Sequence, residues 1–276
     1  MLLWFPHPTW DPSTTSGALA TVKRKGVVMS SIVKRPLGLL GIFLVIVSIG
    51  YFVGAAVAYS KTQGGYGSLQ AFSEAQGVEL SYNEDGQLVD RGQTEGAEAI
   101  MSLLEDDWSF PVVKGDLDPN DPLVNSATEY MYQMATISYH VLHGTQNVTL
   151  TEDDLTGEDG QVATEYQCND ETVDVPRPFP EDGVTCEFAI DGRYWTDFDR
   201  SDPVQAKARD MAWSGTAHAL VAELGVGAAT HSALQLALGI AALLGGLGVV
   251  TMAMGVAFIL HVRQQDEVPP ARVSTD

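Results

Sequence analysis

The apolar and polar positions of this chain are sorted into blocks instead of being mixed along its length. From Leu37 to Tyr59 runs LGLLGIFLVIVSIGYFVGAAVAY, 23 residues without a charged side chain. A second uncharged block, ALQLALGIAALLGGLGVVTMAMGVAFIL, fills Ala233 to Leu260. An α-helix rises about 1.5 Å per residue, so each block is long enough to cross a hydrocarbon layer of about 30 Å. The pattern predicts two transmembrane helices, 37–59 and 233–260, forming a helical hairpin.

Between the blocks the pattern turns to helical and alternating periods. Short helices are expected over Leu69–Ala75 and Glu95–Leu104. A longer one should start at Asn120-Asp121-Pro122, an acidic cap followed by proline at the first helical position. It carries Leu123, Ala127, Tyr130, Met131, Met134, Ile137, Val141 and Leu142 at helical spacing and stops at Gly144. Ser201-Asp202-Pro203 predicts another start, with a helix from Val204 through Leu224 and a break at Gly225 and Gly227. Residues 146–196 read differently: Val148–Leu150, Val162–Gln167, Val184–Ile190 and Arg193–Trp195 are short β-like runs between turn-rich acidic stretches. The fold class expected is α+β, a mainly helical domain with a small β insertion, flanked by the two long apolar helices.

Charge sharpens this division. Residues 60–232 hold 32 Asp and Glu against 8 Lys and Arg, a net charge of −24, whereas the whole chain carries −21. Such a domain repels nucleic acid and anionic headgroups, so no nucleic-acid partner is expected; a basic partner or cations would be attracted. Lys23, Arg24, Lys25, Lys34 and Arg35 precede the first block, opposed only by Asp11, and Arg263 and Arg272 follow the second. The positive-inside rule then places residues 1–36 and 261–276 in the cytoplasm and 60–232 outside the cell membrane. Ala56-Val57-Ala58 has the look of a signal-peptidase site, but the apolar run exceeds the usual signal core of about 7–15 residues, which favours an uncleaved anchor. Met29, opening MSSIVKRPLG, is an alternative start.

Small residues recur in both blocks. Gly50, Gly54 and Ala58 follow one another at intervals of four, as do Ala241 with Gly245 and Ala242 with Gly246. Such faces let helix backbones approach closely, against each other or against another membrane or envelope protein. No Asp, Glu, Lys or Arg interrupts either block, which argues against an ion pathway or a voltage sensor.

The chemistry-bearing residues are few. The two cysteines, Cys168 and Cys186, both fall in the β insertion, and an oxidising compartment would join them in a disulfide. Zinc would need four ligands, and no histidine lies between them. His140 and His143 share a helix face, and His218 on a later helix is the third residue a metal would recruit; as helix-terminal histidines they have an ordinary explanation in the helix dipole. No metal and no cofactor is expected. Asp116 to Asp121 imitates the start of a calcium loop but lacks its glycine and its closing glutamate. Asn147-Val148-Thr149 is a glycosylation sequon. Asp197, Asp199 and Asp202 lie among Trp195, Phe198 and Trp213, as sugar-handling carboxylates do, although capping of a helix start explains the same spacing. Nucleotide-binding and nucleophile-elbow motifs are missing.

The stretch GRYWTDFDRSDPVQAKARDMAWSGTAHALVAELGVG, leading into the second block, resembles uncharacterised actinobacterial membrane proteins in which two transmembrane spans flank an exported loop. The resemblance covers mainly residues 192–262. It implies a Gram-positive envelope and transfers no functional residue. Together these features lead us to expect a non-enzymatic membrane protein, a scaffold or accessory subunit. The alternatives are an extracytoplasmic ligand sensor signalling through a partner, or an envelope metal-binding protein or enzyme.

Overall fold

The computed structural model describes residues 31–266. Lys23, Arg24, Lys25, the alternative start at Met29, and Arg272 lie outside the described residues. By their contacts, residues 47–250 form one compact unit, and the described residues 31–46 and 251–266 form another. The architecture is mixed: two long apolar helices, shorter helices, two small sheets and one disulfide.

Helix α1 spans Ser31–Gln76 and helix α5 spans Gly215–Asp266, both far longer than the uncharged blocks they contain. At about 1.5 Å per residue they measure roughly 70 and 80 Å. The segment expected at Leu69–Ala75 is the end of α1, which closes at Gly77 in the left-handed conformation (φ 61°) that a helix C-terminus favours. Gly225 and Gly227 do not break α5. A helical glycine costs only about 1 kcal/mol relative to alanine, and here tertiary contact offsets that cost. A side chain at Gly227 would overlap the Tyr130 ring, with its Cβ 2.7 Å from two ring carbons.

The central helix α3 covers Ala127–Leu142 and starts five residues later than Asn120-Asp121-Pro122 suggests. The Asp118 carboxylate instead holds the Asn120 amide at 2.8 Å, and Leu80 N–H donates to the Pro122 carbonyl at 2.8 Å. Residues 122–124 are thereby drawn out alongside 78–80. The true start is a capping box: Glu129 N–H donates to the Ser126 hydroxyl, and the Glu129 carboxylate accepts from Ser126 N–H at 2.8 Å. Asn125 N–H adds a further bond at 3.0 Å. The reciprocal bonds satisfy the amides of Ser126 and Glu129 at this start.

Glu129 is only 2% exposed, and this burial pushes its carboxyl above the ordinary value although three hydrogen bonds pull the other way. A carboxyl with a raised folded pKa stabilises the fold most at low pH, and that contribution is lost as pH rises through the folded value. Glu129→Gln should therefore flatten the pH–stability curve above the ordinary glutamate value while keeping an acceptor. Glu129→Ala should cost about 1–2 kcal/mol by stranding two amides. Urea unfolding across that pH range reads both outcomes.

Helix α2, Thr94–Ser102, runs on into a single π turn, Leu103–Asp107, in agreement with the expected 95–104 segment. Helix α4, Pro203–Ala212, starts where expected: the Asp202 carboxylate accepts from Val204 and Gln205 N–H at 2.8 and 3.3 Å. It ends at Trp213, whose backbone leaves the helical region (ψ 53°), instead of continuing to Leu224; Ser214 then accepts Ala217 N–H at 3.3 Å and α5 begins at Gly215.

Strands β1 (Thr145–Leu150) and β4 (Val184–Ala189) pair antiparallel with Val148 opposite Cys186. Strands β2 (Glu165–Cys168) and β3 (Glu171–Asp174) form a hairpin. The run Arg193–Trp195 is a turn, and β3 has too few apolar residues to announce itself. Ile100, Leu104, Val148, Leu150, Ile190 and Val204 are fully buried and form the centre of the domain core.

Candidate functional site

The apolar helices are packed inside out. Large side chains point away from the protein (Leu39 is 68% exposed, Ile46 62% and Leu243 63%), while small residues are covered. Only 11% of each apolar window is buried, which is not how the core helix of a soluble domain is arranged. Along α1 the covered positions Gly41, Ser48 and Thr62, with half-buried Ala55 between, recur every seven residues; along α5 Ala241, Gly248 and Gly255 do the same. Seven residues are 20° short of two full turns, so a seven-residue repeat keeps one narrow seam aligned, whereas steps of four drift around the helix by 40° each.

The close contacts follow that repeat. In one unit, a Cβ on Gly41 would lie 2.8 Å from the Gly255 carbonyl oxygen, and one on Gly255 would lie 2.7 Å from that of Gly41. In the other unit, Gly248 faces the Phe52 ring and Gly245 faces Ala55, so the helices run antiparallel. Among the residues singled out by the interval of four, Gly54 meets Leu244, Ala241 is buried, and Ala58 and Gly245 are half covered. Gly50 and Gly246 have open space beside them, and Ala242 is exposed. The Gly41–Gly255 contact carries no glycine or alanine pair at an interval of four: Leu37 and Val45 flank Gly41, and Thr251 and Ile259 flank Gly255.

Beyond the apolar blocks, the helices seat the domain directly. The Ser73 hydroxyl donates to the Leu69 carbonyl at 3.1 Å, which leaves the Tyr130 hydroxyl to donate to Ser73 at 2.7 Å. Tyr130 is thereby held against Gly227, with no freedom to withdraw. Gly227→Ala should therefore destabilise the domain by about 2 kcal/mol, in the range of overpacked cores, whereas Gly239→Ala, where a Cβ meets nothing, should change little. Thermal unfolding followed by tryptophan fluorescence distinguishes the two. Nearby, His231 of α5 reaches α3: its Nδ1 accepts the Ala127 N–H at 3.1 Å, and its ring stands edge-on to Tyr66 at 5.6 Å.

The expected disulfide is formed. Cys168 and Cys186 are joined with their Cα atoms 5.7 Å apart, fastening the β2–β3 hairpin to β4. Asn169, at the hairpin tip, completes the attachment by accepting Ala189 N–H and donating to the Glu187 carbonyl, both at 2.9 Å.

The three histidines weighed as metal candidates have separate partners. His140 Nε2 bonds the Asp90 carboxylate at 2.9 Å. His143 lies on the Tyr139 ring with centroids 4.2 Å apart, and His218 stands edge-on to Trp195 at 4.9 Å. Among the described residues no three of His, Cys, Asp and Glu converge as a metal would require.

The acidic-aromatic stretch is also spoken for. Asp197 accepts Tyr194 N–H, Asp199 accepts Ser201 N–H and hydroxyl, and Asp202 caps α4. Arg209 lies over the Trp195 ring at 4.2 Å, covering the face on which a sugar would stack. Asn147 is exposed on β1, and Asp118 serves the Asn120 turn instead of a calcium loop.

No protein-family model matches the chain, and neither curated proteins nor solved structures yield a match.

Proposed function

We propose that this is a two-span integral protein of the cell membrane that presents a rigid acidic domain on its outer face and works without catalysis, as a scaffold or accessory subunit of an envelope complex. The spans are 37–59 and 233–260, both termini are cytoplasmic, and residues 60–232 are outside. The observation that carries this reading is the inside-out packing of α1 and α5. Side chains such as Phe43, Ile46, Val53, Leu236, Leu243 and Val250 are exposed, and exposing them to water would be unfavourable by roughly 1.5–3 kcal/mol per side chain. A lipid environment removes that cost. The disulfide supports an oxidising compartment for the domain, and the charge of the flanks supports the orientation. The domain between the spans carries a net charge of −24, which suits it to a basic partner protein.

Two measurements test this. With single cysteines introduced at Ser68 and Ser232 in a chain lacking Cys168 and Cys186, both should react with a membrane-impermeant maleimide on intact cells. A label that enters only after lysis would reverse or abolish the topology. Crosslinking of intact cells followed by mass spectrometry of the tagged chain should then recover a stoichiometric envelope partner; recovery of the chain alone would sink the accessory-subunit role.

The sensor alternative gains one observation. Helices α1 and α5 continue without interruption from the apolar blocks to the domain core, so a ligand that reorients the domain would move the helices with it. Thermal-shift screening of the domain in the intact protein separates the two readings.

A further inference from the structure

We propose that His231 is a pH-operated latch between helix α5 and the start of helix α3, closed while its imidazole is neutral and released when it is protonated. The first amides of an α-helix have no partner within the helix. In α3 the Ser126 and Glu129 side chains satisfy part of this set, and Ala127 N–H, at the first helical position, is taken by His231 Nδ1 from 104 residues away in the chain. That bond fixes the neutral tautomer: Nδ1 must be the bare nitrogen, and Nε2 carries the hydrogen. An imidazolium has hydrogen on both nitrogens and accepts nothing. Protonation therefore breaks the bond and also sets a cation against the positive end of the α3 dipole. The release is a matter of donor and acceptor count, and it holds whatever surrounds the protein.

Protons reach the ring through an adjoining groove of about 260 Å³, lined by Tyr66, Gly67, Leu69, Gln70, Asn125 and His231. The charged or titratable groups around the ring come from three elements. Helix α1 supplies the Tyr66 phenol, edge-on to the imidazole; the turn at 114–116 supplies the Asp116 carboxylate; α3 supplies Glu129, which is occupied by the amides of Asn125 and Ser126. Burial opposes the imidazolium, and Asp116 favours it more weakly. The latch therefore stays shut at neutral pH and opens under mild acid, below the ordinary histidine value near 6.5. Contact between α5 and α3 would then rest on Gly227 against Tyr130 and Gly225 against Met134, so the device couples external acidity to the seating of the domain.

The test uses the full chain in lipid nanodiscs. Amide exchange at Ala127, corrected for the intrinsic pH dependence of exchange, should accelerate at least tenfold between pH 7.5 and 5.5 in the wild type. In His231→Gln, whose side-chain carbonyl accepts the same bond without titrating, protection should be independent of pH. Asp116→Asn should move the wild-type transition to lower pH, because it removes the carboxylate that favours the cation. Imidazole ¹⁵N shifts of the wild type give a second readout: a bare Nδ1 at pH 7.5, and protonation in step with the change at Ala127. Equal acceleration in His231→Gln, no acceleration in a wild type whose His231 has been shown to protonate, or a neutral ring down to pH 5 would each overturn the proposal. Should the glutamine variant fail to fold, the wild-type shifts and the Ala127 amide decide the matter alone.

Discussion

Replacing Gly255 by leucine is expected to separate the two apolar helices where the Gly41 and Gly255 backbones meet, at a cost of about 3 kcal/mol or more. The magnitude follows from what the new atoms meet. A Cβ at this position would lie 2.7 Å from the Gly41 carbonyl oxygen and 2.9 Å from a Val45 methyl. Overpacked cores usually relax by rotating side chains and lose 1–3 kcal/mol, but a backbone carbonyl in the middle of a helix has no rotamer to change. Gly41→Leu should behave alike, since its Cβ would meet the Gly255 carbonyl. Gly246→Leu is the control: its Cβ meets nothing, and the change should stay within about 0.5 kcal/mol. Unfolding in mixed micelles with increasing SDS, followed by proximity labels on the two helices, measures all three. A loss at Gly246 equal to that at Gly255 would show that apolar bulk, not close approach, governs the pair.

The second large effect is expected from the disulfide. Cys168 and Cys186 close a loop of 18 residues, for which restriction of the unfolded chain contributes roughly 3 kcal/mol. Reducing the bond, or replacing both residues by alanine, should lower the unfolding free energy of the domain by about that amount, read as a lower denaturant midpoint. The alanine pair should lose somewhat more, because Cys186 is 2% exposed in the core and its removal leaves a void. Hydrogen exchange should show the β2–β3 hairpin opening first: with the bond cut, Asn169 and the Tyr166 hydroxyl are its main remaining polar ties to β4. A domain as stable reduced as oxidised would mean that these contacts alone hold the hairpin.

Much of this molecule is legible in its sequence wherever one physical effect dominates. The apolar blocks stand out because a long uncharged run has few structural uses, and the Asp202-Pro203 start is visible because cap and proline act locally. The disulfide follows from a pair with no competitor. Reading fails where a local signal competes with a distant contact. Asn120-Asp121-Pro122 has the residues of a helix start, yet hydrogen bonds to 78–80 extend the chain there, and the capping box at Ser126 and Glu129 went unread behind it. Gly225 and Gly227 look like breakers until Tyr130 is known to need the space. Small residues at intervals of four stand out in the sequence, whereas the covered positions Gly41, Ser48 and Thr62, with half-buried Ala55 between, and Ala241, Gly248 and Gly255 on α5 keep an interval of seven. His231 carried no local signal at all, since its partner lies 104 residues away.

The seating of Tyr130 against Gly227 has a mechanical consequence. Gly227 stands six residues before Ala233, about 9 Å along an unbroken helix, and no swivel intervenes. The domain is therefore keyed to the shaft, not tethered to it. A twist of α5 by one residue's step, 100°, would carry Gly227 away and bring a side chain under the aromatic ring. Rotational freedom that a flexible linker would leave to the domain is thus withheld. A torque that turned α5 about its own axis at Gly227 would therefore be felt at once by Tyr130 and the core around it.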